Sequence, residues 1–132
     1  MKHNTFAQQV RKKYGDSVQE FAFRLGVAPV TVKKWENGDS INTLHQTLLE
    51  YANKYNMEMK HQAPQEFVEL TPEMQIEYLM KYYGCSLTSL AARLGVDYYT
   101  LYRWKNKNKL SSAAQRFLYE VAANPDRFLV FK

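Results

Sequence analysis

One segment of this chain occurs twice, and the two copies are separated by a fixed offset of 69 positions. When Lys12–Asn37 is aligned with Lys81–Asn106, twelve of 26 residues are identical. Several of the other pairs, such as Val18 with Leu87 and Phe21 with Leu90, exchange one apolar side chain for another. A fixed-offset repeat indicates one supersecondary unit used more than once. The sequence therefore predicts two helical units of roughly 60 residues each, a size near the lower limit for independent folding.

Each copy has the pattern of four helices. The first ends at Tyr-Gly, because glycine accepts the left-handed conformation that closes a helix. The second begins after a capping serine and ends at Leu-Gly-Val. The predicted pairs are Thr5–Tyr14 with Pro72–Tyr83, helices after Ser17 and Ser86, Pro29–Trp35 with Tyr98–Trp104, and Asn42–Tyr55 with Ser111–Asn124.

The predicted organisation is a first unit over 1–55, a linker over 56–70 and a second unit with a C-terminal tail over 71–132. Apolar alternation at 56–60, at 66–70 and at Phe128–Phe131 is compatible with short strands. The alternative is a linker and a tail that simply cover the core. The predicted fold class is mainly all-α, with two tandem units of four to five helices each and with these few strands left open.

The net charge of +5 is unevenly distributed. Residues 1–60 carry nine Lys/Arg and six Asp/Glu, whereas 61–73 carry only three Glu. Residues 74–132 carry nine Lys/Arg and four Asp/Glu. Two basic units joined by an acidic segment suit two surfaces that face a polyanion.

Several classes of protein are disfavoured by the composition. No apolar run approaches the ~20 residues of a membrane helix, and no apolar signal region follows the N-terminus. The single cysteine, Cys85, excludes an intrachain disulfide, so we expect a cytoplasmic protein with no membrane partner. His3, His45 and His61 lack metal-ligand spacing with Cys85. There is no phosphate-binding glycine loop or nucleophile elbow, so we expect no enzyme, metal or cofactor.

A helix, a tight turn containing glycine and a second helix form a helix-turn-helix arrangement. In the first copy, Ser17–Gly38 reads Ser-x-x-Glu-x-Ala-x-x-Leu-Gly-Val-x-x-x-Thr-Val-x-x-Trp-Glu-x-Gly. This pattern resembles the Cro/repressor (XRE-like) helix-turn-helix family. The second copy is similar over Ser86–Trp104 but departs at Ser89, Lys105 and Lys107. Its continuation from Leu110 resembles antitoxin-type members of that family.

The resemblance implies that the third helix of each unit enters the major groove and that the second helix crosses the phosphate backbone. The implied base-reading residues are Pro29, Val30, Lys33, Lys34, Tyr98, Tyr99, Tyr102 and Arg103. The implied phosphate contacts are Ser17, Arg24, Thr31, Ser86, Arg93, Thr100, Lys105, Lys107 and Lys109.

The two sets of base-reading residues differ in chemistry. Val30 offers only apolar contact, for instance to a thymine methyl, whereas Lys33 and Lys34 reach guanine acceptors or phosphates. Arg103 can pair bidentately with guanine, while tyrosines are less selective. We therefore expect two different half-sites, with centres ~34 Å apart if both helices engage one face of the duplex. In the alternative, one unit reads DNA and the other forms a homodimer.

Each assignment has a structural alternative. Trp35 and Trp104 share a helix face with apolar neighbours, so we expect both in the core. Arg24 and Arg93 can be solvated or paired internally instead of touching phosphate. The lysines at 105, 107 and 109 can form a solvated loop. The tyrosines of the third helix in the second unit can contact protein instead of DNA.

The resulting expectation is a double-stranded DNA-binding transcriptional regulator, a repressor of phage or mobile-element type. The alternative is an antitoxin-like or inhibitor-like module that binds a toxin or other protein and also represses its own operon. A third interpretation is a nucleoid-type binder without sequence preference.

Overall fold

The computed structural model describes residues 5–107 and 109–129. The chain divides into two compact units, Met1–Lys60 (unit 1) and His61–Lys132 (unit 2). The described residues form nine α-helices and one short 3-10 helix, and they contain no strand. The prediction of a mainly all-α fold is confirmed.

Unit 1 is built from four helices whose bounds lie close to the predicted ones. Three of them begin at a polar residue whose side chain accepts a hydrogen bond from the backbone three positions on: Thr5, Ser17 and Asn42. Ser17 and Glu20 complete a reciprocal capping box, which supplies partners for otherwise unpaired N–H groups. The four helices are α1 (Phe6–Tyr14), α2 (Val18–Leu25), α3 (Pro29–Glu36) and α4 (Thr43–Lys54).

The core of unit 1 takes apolar side chains from all four helices. Val10, Phe21, Val32 and Leu48 are fully buried. Trp35 is 3% exposed, which confirms its predicted place in the core. Because α1 contacts both α3 and α4, and α2 packs on α3, the buried face of α3 is fixed by its neighbours.

Unit 2 repeats this order of helices after one additional short helix. Its core includes Ile76, Leu90, Leu101 and Phe117, all fully buried, and Trp104 is 7% exposed, as predicted for a core residue. The elements are α5 (Gln65–Val68), α6 (Pro72–Tyr83), α7 (Leu87–Leu94), α8 (Tyr98–Lys107), α9 (Ser112–Ala123) and a 3-10 helix (Pro125–Phe128).

The short strands considered for the linker and the tail are absent from the described residues, so that option was wrong there. Residues 56–60 are irregular, α5 occupies most of 66–70, and Phe128 ends a 3-10 helix. Val130 and Phe131 lie outside the described residues. Alternating apolar residues in so short a run do not specify a strand unless a pairing partner is available.

Residues 56–70 contribute side chains to the cores of the two units. Met57 is fully buried in unit 1. In unit 2, Phe67 is fully buried against the ring of Tyr78, at a centroid distance of 5.2 Å, and its carbonyl accepts a hydrogen bond from the buried Gln75 amide at 3.1 Å. Met57 therefore belongs to the core of unit 1, and Phe67 belongs to the core of unit 2.

Across the described part of the chain, the structure has no helix of the length and apolar character needed to cross a membrane.

Candidate nucleic-acid interface

A left-handed glycine sets the direction in which α3 leaves α2. Gly26 has φ +76°, a conformation that side chains disfavour, and the N–H of Val27 turns back to the carbonyl of Ala22 at 3.0 Å. Gly95 has φ +75°, and Val96 donates to Ala91 at 3.0 Å. The turns in the two units therefore share one backbone geometry.

The helix after each turn buries one face and exposes the other. Val32 and Trp35 are buried in unit 1, and Leu101 and Trp104 are buried in unit 2. Residues three or four positions apart share a helix face, so the side chains between these pairs are directed away from the core. Each unit thus presents the outer face of its third helix to solvent.

The exposed face of α3 combines one apolar residue with two cations. Pro29 lies at the first helical position, where a missing N–H costs nothing, and Val30 is 56% exposed. Lys33 and Lys34 are exposed one turn later, and Thr31 is half-buried at the edge of this face. The structure therefore brings the predicted base-reading residues of unit 1 together on one surface.

The exposed face of α8 is aromatic. Tyr98, Tyr99 and Tyr102 are 37%, 66% and 46% exposed, and we call them the tyrosine cluster. The Tyr98 ring lies edge-on to Tyr99 at 5.4 Å and is stacked with Tyr102 at 6.1 Å, measured between centroids. Arg103 is exposed beside the cluster and donates to the Thr100 hydroxyl at 3.3 Å.

Arg24 has internal partners. Its guanidinium makes two hydrogen bonds to the Asp16 carboxylate, at 2.8 and 2.9 Å, and a third to the Met57 carbonyl at 2.6 Å. It also lies 4.3 Å from the centroid of the Tyr14 ring. The hydrogen bond to Asp16 raises the pKa of Arg24 in spite of burial, which lowers it. Arg24 therefore ties α2 to the chain that follows α4.

Arg93 performs the same task in unit 2 with different acceptors. It donates to the carbonyls of Phe128, at 3.0 Å, and Leu129, at 2.6 Å, and lies 4.6 Å from the centroid of the Tyr83 ring. The position that corresponds to Asp16 is Cys85. Both arginines thus follow the internally bound alternative that the sequence left open.

The basic run that the sequence suggested as a loop lies largely within α8, which extends to Lys107, and it is only partly available to a ligand. Lys105 is directed toward α6, where its ammonium lies 3.5 Å from Glu77 and 4.0 Å from Glu73. Lys107 and Lys109 are exposed. Two of the three lysines that the sequence grouped together therefore remain on the outer surface.

Ser17 and Ser86 serve first as helix caps. Their hydroxyl oxygens accept hydrogen bonds from the backbone N–H groups of Glu20 and Ser89, each at 3.1 Å. Both serines are exposed at the N-termini of α2 and α7, where the helix dipole favours an anion.

Two internal cation contacts in unit 1 were not foreseen. Arg11 makes a bidentate ion pair with Glu36 at the end of α3, at 2.6 and 2.9 Å. Lys13 donates to three carbonyls at the end of α4, those of Ala52, Asn53 and Tyr55. For the Lys13 contact, the only indication available before the structure is the general preference of cations for helix C-termini.

An open cleft of about 630 Å³ beside α3 was also missed. His45 lies in it with its ring edge-on to Trp35, at a centroid distance of 5.3 Å, and burial lowers the pKa of His45. The lining residues are Thr31, Lys34, Trp35, Asp39, Ser40, Ile41, Asn42 and His45. Over 5–107 and 109–129, no group of His, Cys, Asp or Glu is arranged to hold a metal ion.

Comparison with known families identifies the arrangement in unit 1. Residues 8–60 match the family model described as helix-turn-helix. The matched range contains α2, the Gly26 turn and α3, and it supports a DNA-binding regulator of the Cro/repressor type. Neither the curated proteins nor the solved structures yield a significant match to the chain.

Removal of Arg24 should mainly affect stability. Arg24→Ala leaves the buried Asp16 carboxylate without its bidentate partner, so we expect unit 1 to lose about 3 kcal/mol of unfolding free energy. Urea titration followed by Trp35 fluorescence, in a Trp104→Phe background, isolates unit 1. The double variant Arg24→Ala/Asp16→Ala should recover part of the loss, and equal stabilities of the single and double variants would contradict a paired role.

Acidification should destabilise unit 1 through His45. The folded state lowers the pKa of His45, so the unfolded chain binds the proton first and stability falls as the pH drops through about 6.5. We expect the urea midpoint of unit 1 to decrease between pH 7.5 and pH 5.5, and we expect a smaller decrease in His45→Phe, which keeps a ring against Trp35. An identical pH dependence in both proteins would remove His45 as the cause.

Proposed function

We propose that this protein is a sequence-specific double-stranded DNA-binding transcriptional regulator that acts as a repressor. The observation that carries the proposal is the exposed face of α3, which lies within the helix-turn-helix match and presents Val30, Lys33 and Lys34 together. This face has the size and charge of a helix that enters the major groove.

In unit 1, α3 lies in the groove and α2 crosses the phosphate backbone. Val30 contacts a thymine methyl, and the two lysines reach guanine acceptors or phosphates. Ser17, at the N-terminus of α2, and Thr31, on α3, make phosphate contacts. Arg24 positions α2 from inside the unit, since its donors are occupied by Asp16 and Met57.

In unit 2, α8 acts as a second recognition helix. The shared turn geometry at Gly26 and Gly95 supports this tandem arrangement. Arg103 pairs with a guanine, while Lys107 and Lys109 hold phosphates. Because α3 and α8 differ in their exposed side chains, the DNA site is asymmetric.

Repression follows from occupancy, because a protein bound over a promoter excludes polymerase. Phosphate contacts supply much of the affinity and make it salt-dependent. Such a regulator acts in the cytoplasm on the nucleoid, and the resemblance to Cro/repressor proteins favours a phage or mobile-element origin.

A second candidate is an antitoxin-like module that binds a protein. It is favoured by two exposed apolar side chains in unit 1, Phe23 at 63% and Val30 at 56%. Selection from random duplex DNA separates the candidates. A defined motif supports the repressor, featureless enrichment supports a nucleoid-type binder, and no enrichment supports the protein-binding module.

Loss of the α3 lysines should weaken duplex binding and its salt dependence. For Lys33→Ala/Lys34→Ala we expect a shallower salt dependence: the magnitude of the slope of log K, the binding constant, against log salt concentration should decrease by about 1 for each lysine that contacts phosphate. Fluorescence anisotropy on the selected duplex at several salt concentrations measures the slope. Lys12→Ala/Lys54→Ala, at exposed positions of α1 and α4, removes the same charge and is the control, and an equal effect there would contradict a role specific to α3.

Arg103 should specify one base. We expect Arg103→Ala to cost ~1–3 kcal/mol of binding free energy and to relax preference at one position of the site. Binding to a panel of single-base operator variants measures this preference. If the loss is the same for every sequence, Arg103 contacts phosphate instead.

A further inference from the structure

The chemistry of the tyrosine cluster fits poorly with readout of base edges. Tyr98, Tyr99 and Tyr102 occupy the positions that Pro29, Val30 and Lys33 hold in unit 1. An intact duplex presents only base edges in its major groove, and Arg, Lys, Asn and Gln are the side chains that match them best. A tyrosine ring face has no partner there, because the base faces are stacked on one another.

The geometry of the cluster is that of a surface for planar groups. All three rings are substantially exposed, and the near-parallel Tyr98 and Tyr102 rings, 27° apart, support each other. A tyrosine has few rotatable bonds and loses little entropy when it packs against a ligand. Neighbouring rings in contact restrict it further, so the cluster is preorganised.

Exposed cations follow the rings along the chain. Arg103, Lys107 and Lys109 lie on α8 or directly after it, whereas Lys105 is turned toward Glu77. Asp97, next to the cluster in sequence, uses its carboxylate to accept a hydrogen bond from the Tyr99 N–H at 2.9 Å. Protein interfaces are depleted in lysine, whereas rings flanked by cations are typical of surfaces that bind single-stranded nucleic acid.

We propose that the tyrosine cluster, with Arg103, Lys107 and Lys109, binds unpaired bases of single-stranded DNA. The rings stack on the bases and the three cations hold the backbone. The inference rests on the duplex binding proposed for unit 1 and assigns α8, including Arg103, to an unpaired strand in place of the duplex groove: the regulator holds duplex DNA through unit 1 and prefers sites where the duplex opens beside it.

Fluorescence anisotropy with the full chain tests the proposal on three DNA probes: a 15-nucleotide oligo-dT, the selected duplex, and that duplex with an oligo-dT overhang. We expect the overhang to tighten binding relative to the plain duplex. Tyr99→Ala/Tyr102→Ala should weaken oligo-dT binding about 30-fold or more, since each of the two lost stacking contacts contributes ~1–3 kcal/mol. Circular dichroism checks that the variants are folded.

Two further variants act as controls. Tyr99→Phe/Tyr102→Phe keeps the ring faces and should retain oligo-dT binding. Tyr82→Ala removes a tyrosine of α6 that is 52% exposed and should have no effect. If the phenylalanine variant loses binding as fully as the alanine variant, the hydroxyl groups carry the contact and the stacking proposal is overturned.

The outcomes separate this inference from the proposed function. Failure of the wild-type chain to bind oligo-dT overturns the inference and leaves a protein as the occupant of the cluster. A tyrosine double variant that loses only duplex binding overturns it too, because α8 then reads the intact groove. If oligo-dT binding depends on the tyrosines while no duplex is bound, the cluster keeps its role and the duplex-binding function fails.

Discussion

The direction of each exposed helix depends on one left-handed residue. At Gly26 and Gly95 the chain turns through positive φ, and the following valine N–H bonds back to the helix just completed. A side chain in this conformation would cost roughly 1–2 kcal/mol. Leu25 and Leu94, directly before these glycines, are buried, so the corner is held to the core from one side while the next helix is held by its tryptophan. A small unit can therefore present a fixed surface without a large hydrophobic interior.

Positive charge alone is a poor guide to the binding surface of this protein. Arg11, Arg24 and Lys13 have carboxylates or carbonyls as partners within unit 1, and their contacts hold helices together. Other cations, such as Lys33 and Arg103, remain exposed on the outer faces of the third helices. The difference between internally paired and exposed cations matters, because a phosphate binds most strongly to a cation that no group of the fold already neutralises.

The sequence was sufficient where local signals decide the structure. Caps, proline at the first helical position and glycine at the helix ends located the helices, and spacing placed Trp35 and Trp104 in the core. The sequence pattern was misleading at 66–70. There Phe67 is buried in unit 2, and the alternating segment is largely helical. The sequence could not locate the acceptor of Arg24, because the Met57 carbonyl is 33 positions away and is brought near only by the fold.

Unit 1 has Asp16 at the position where unit 2 has Cys85, and this difference changes which part of the chain supplies hydrogen-bond acceptors to the arginine of each unit. In unit 1, the arginine is neutralised by a carboxylate only eight positions before it. In unit 2, the equivalent arginine uses main-chain oxygens at Phe128 and Leu129, after the last α-helix. Shortening the chain to before Phe128 would deprive Arg93 of these two acceptors, whereas separating unit 1 after Lys60 would leave Arg24 with its acceptors on Asp16 and Met57.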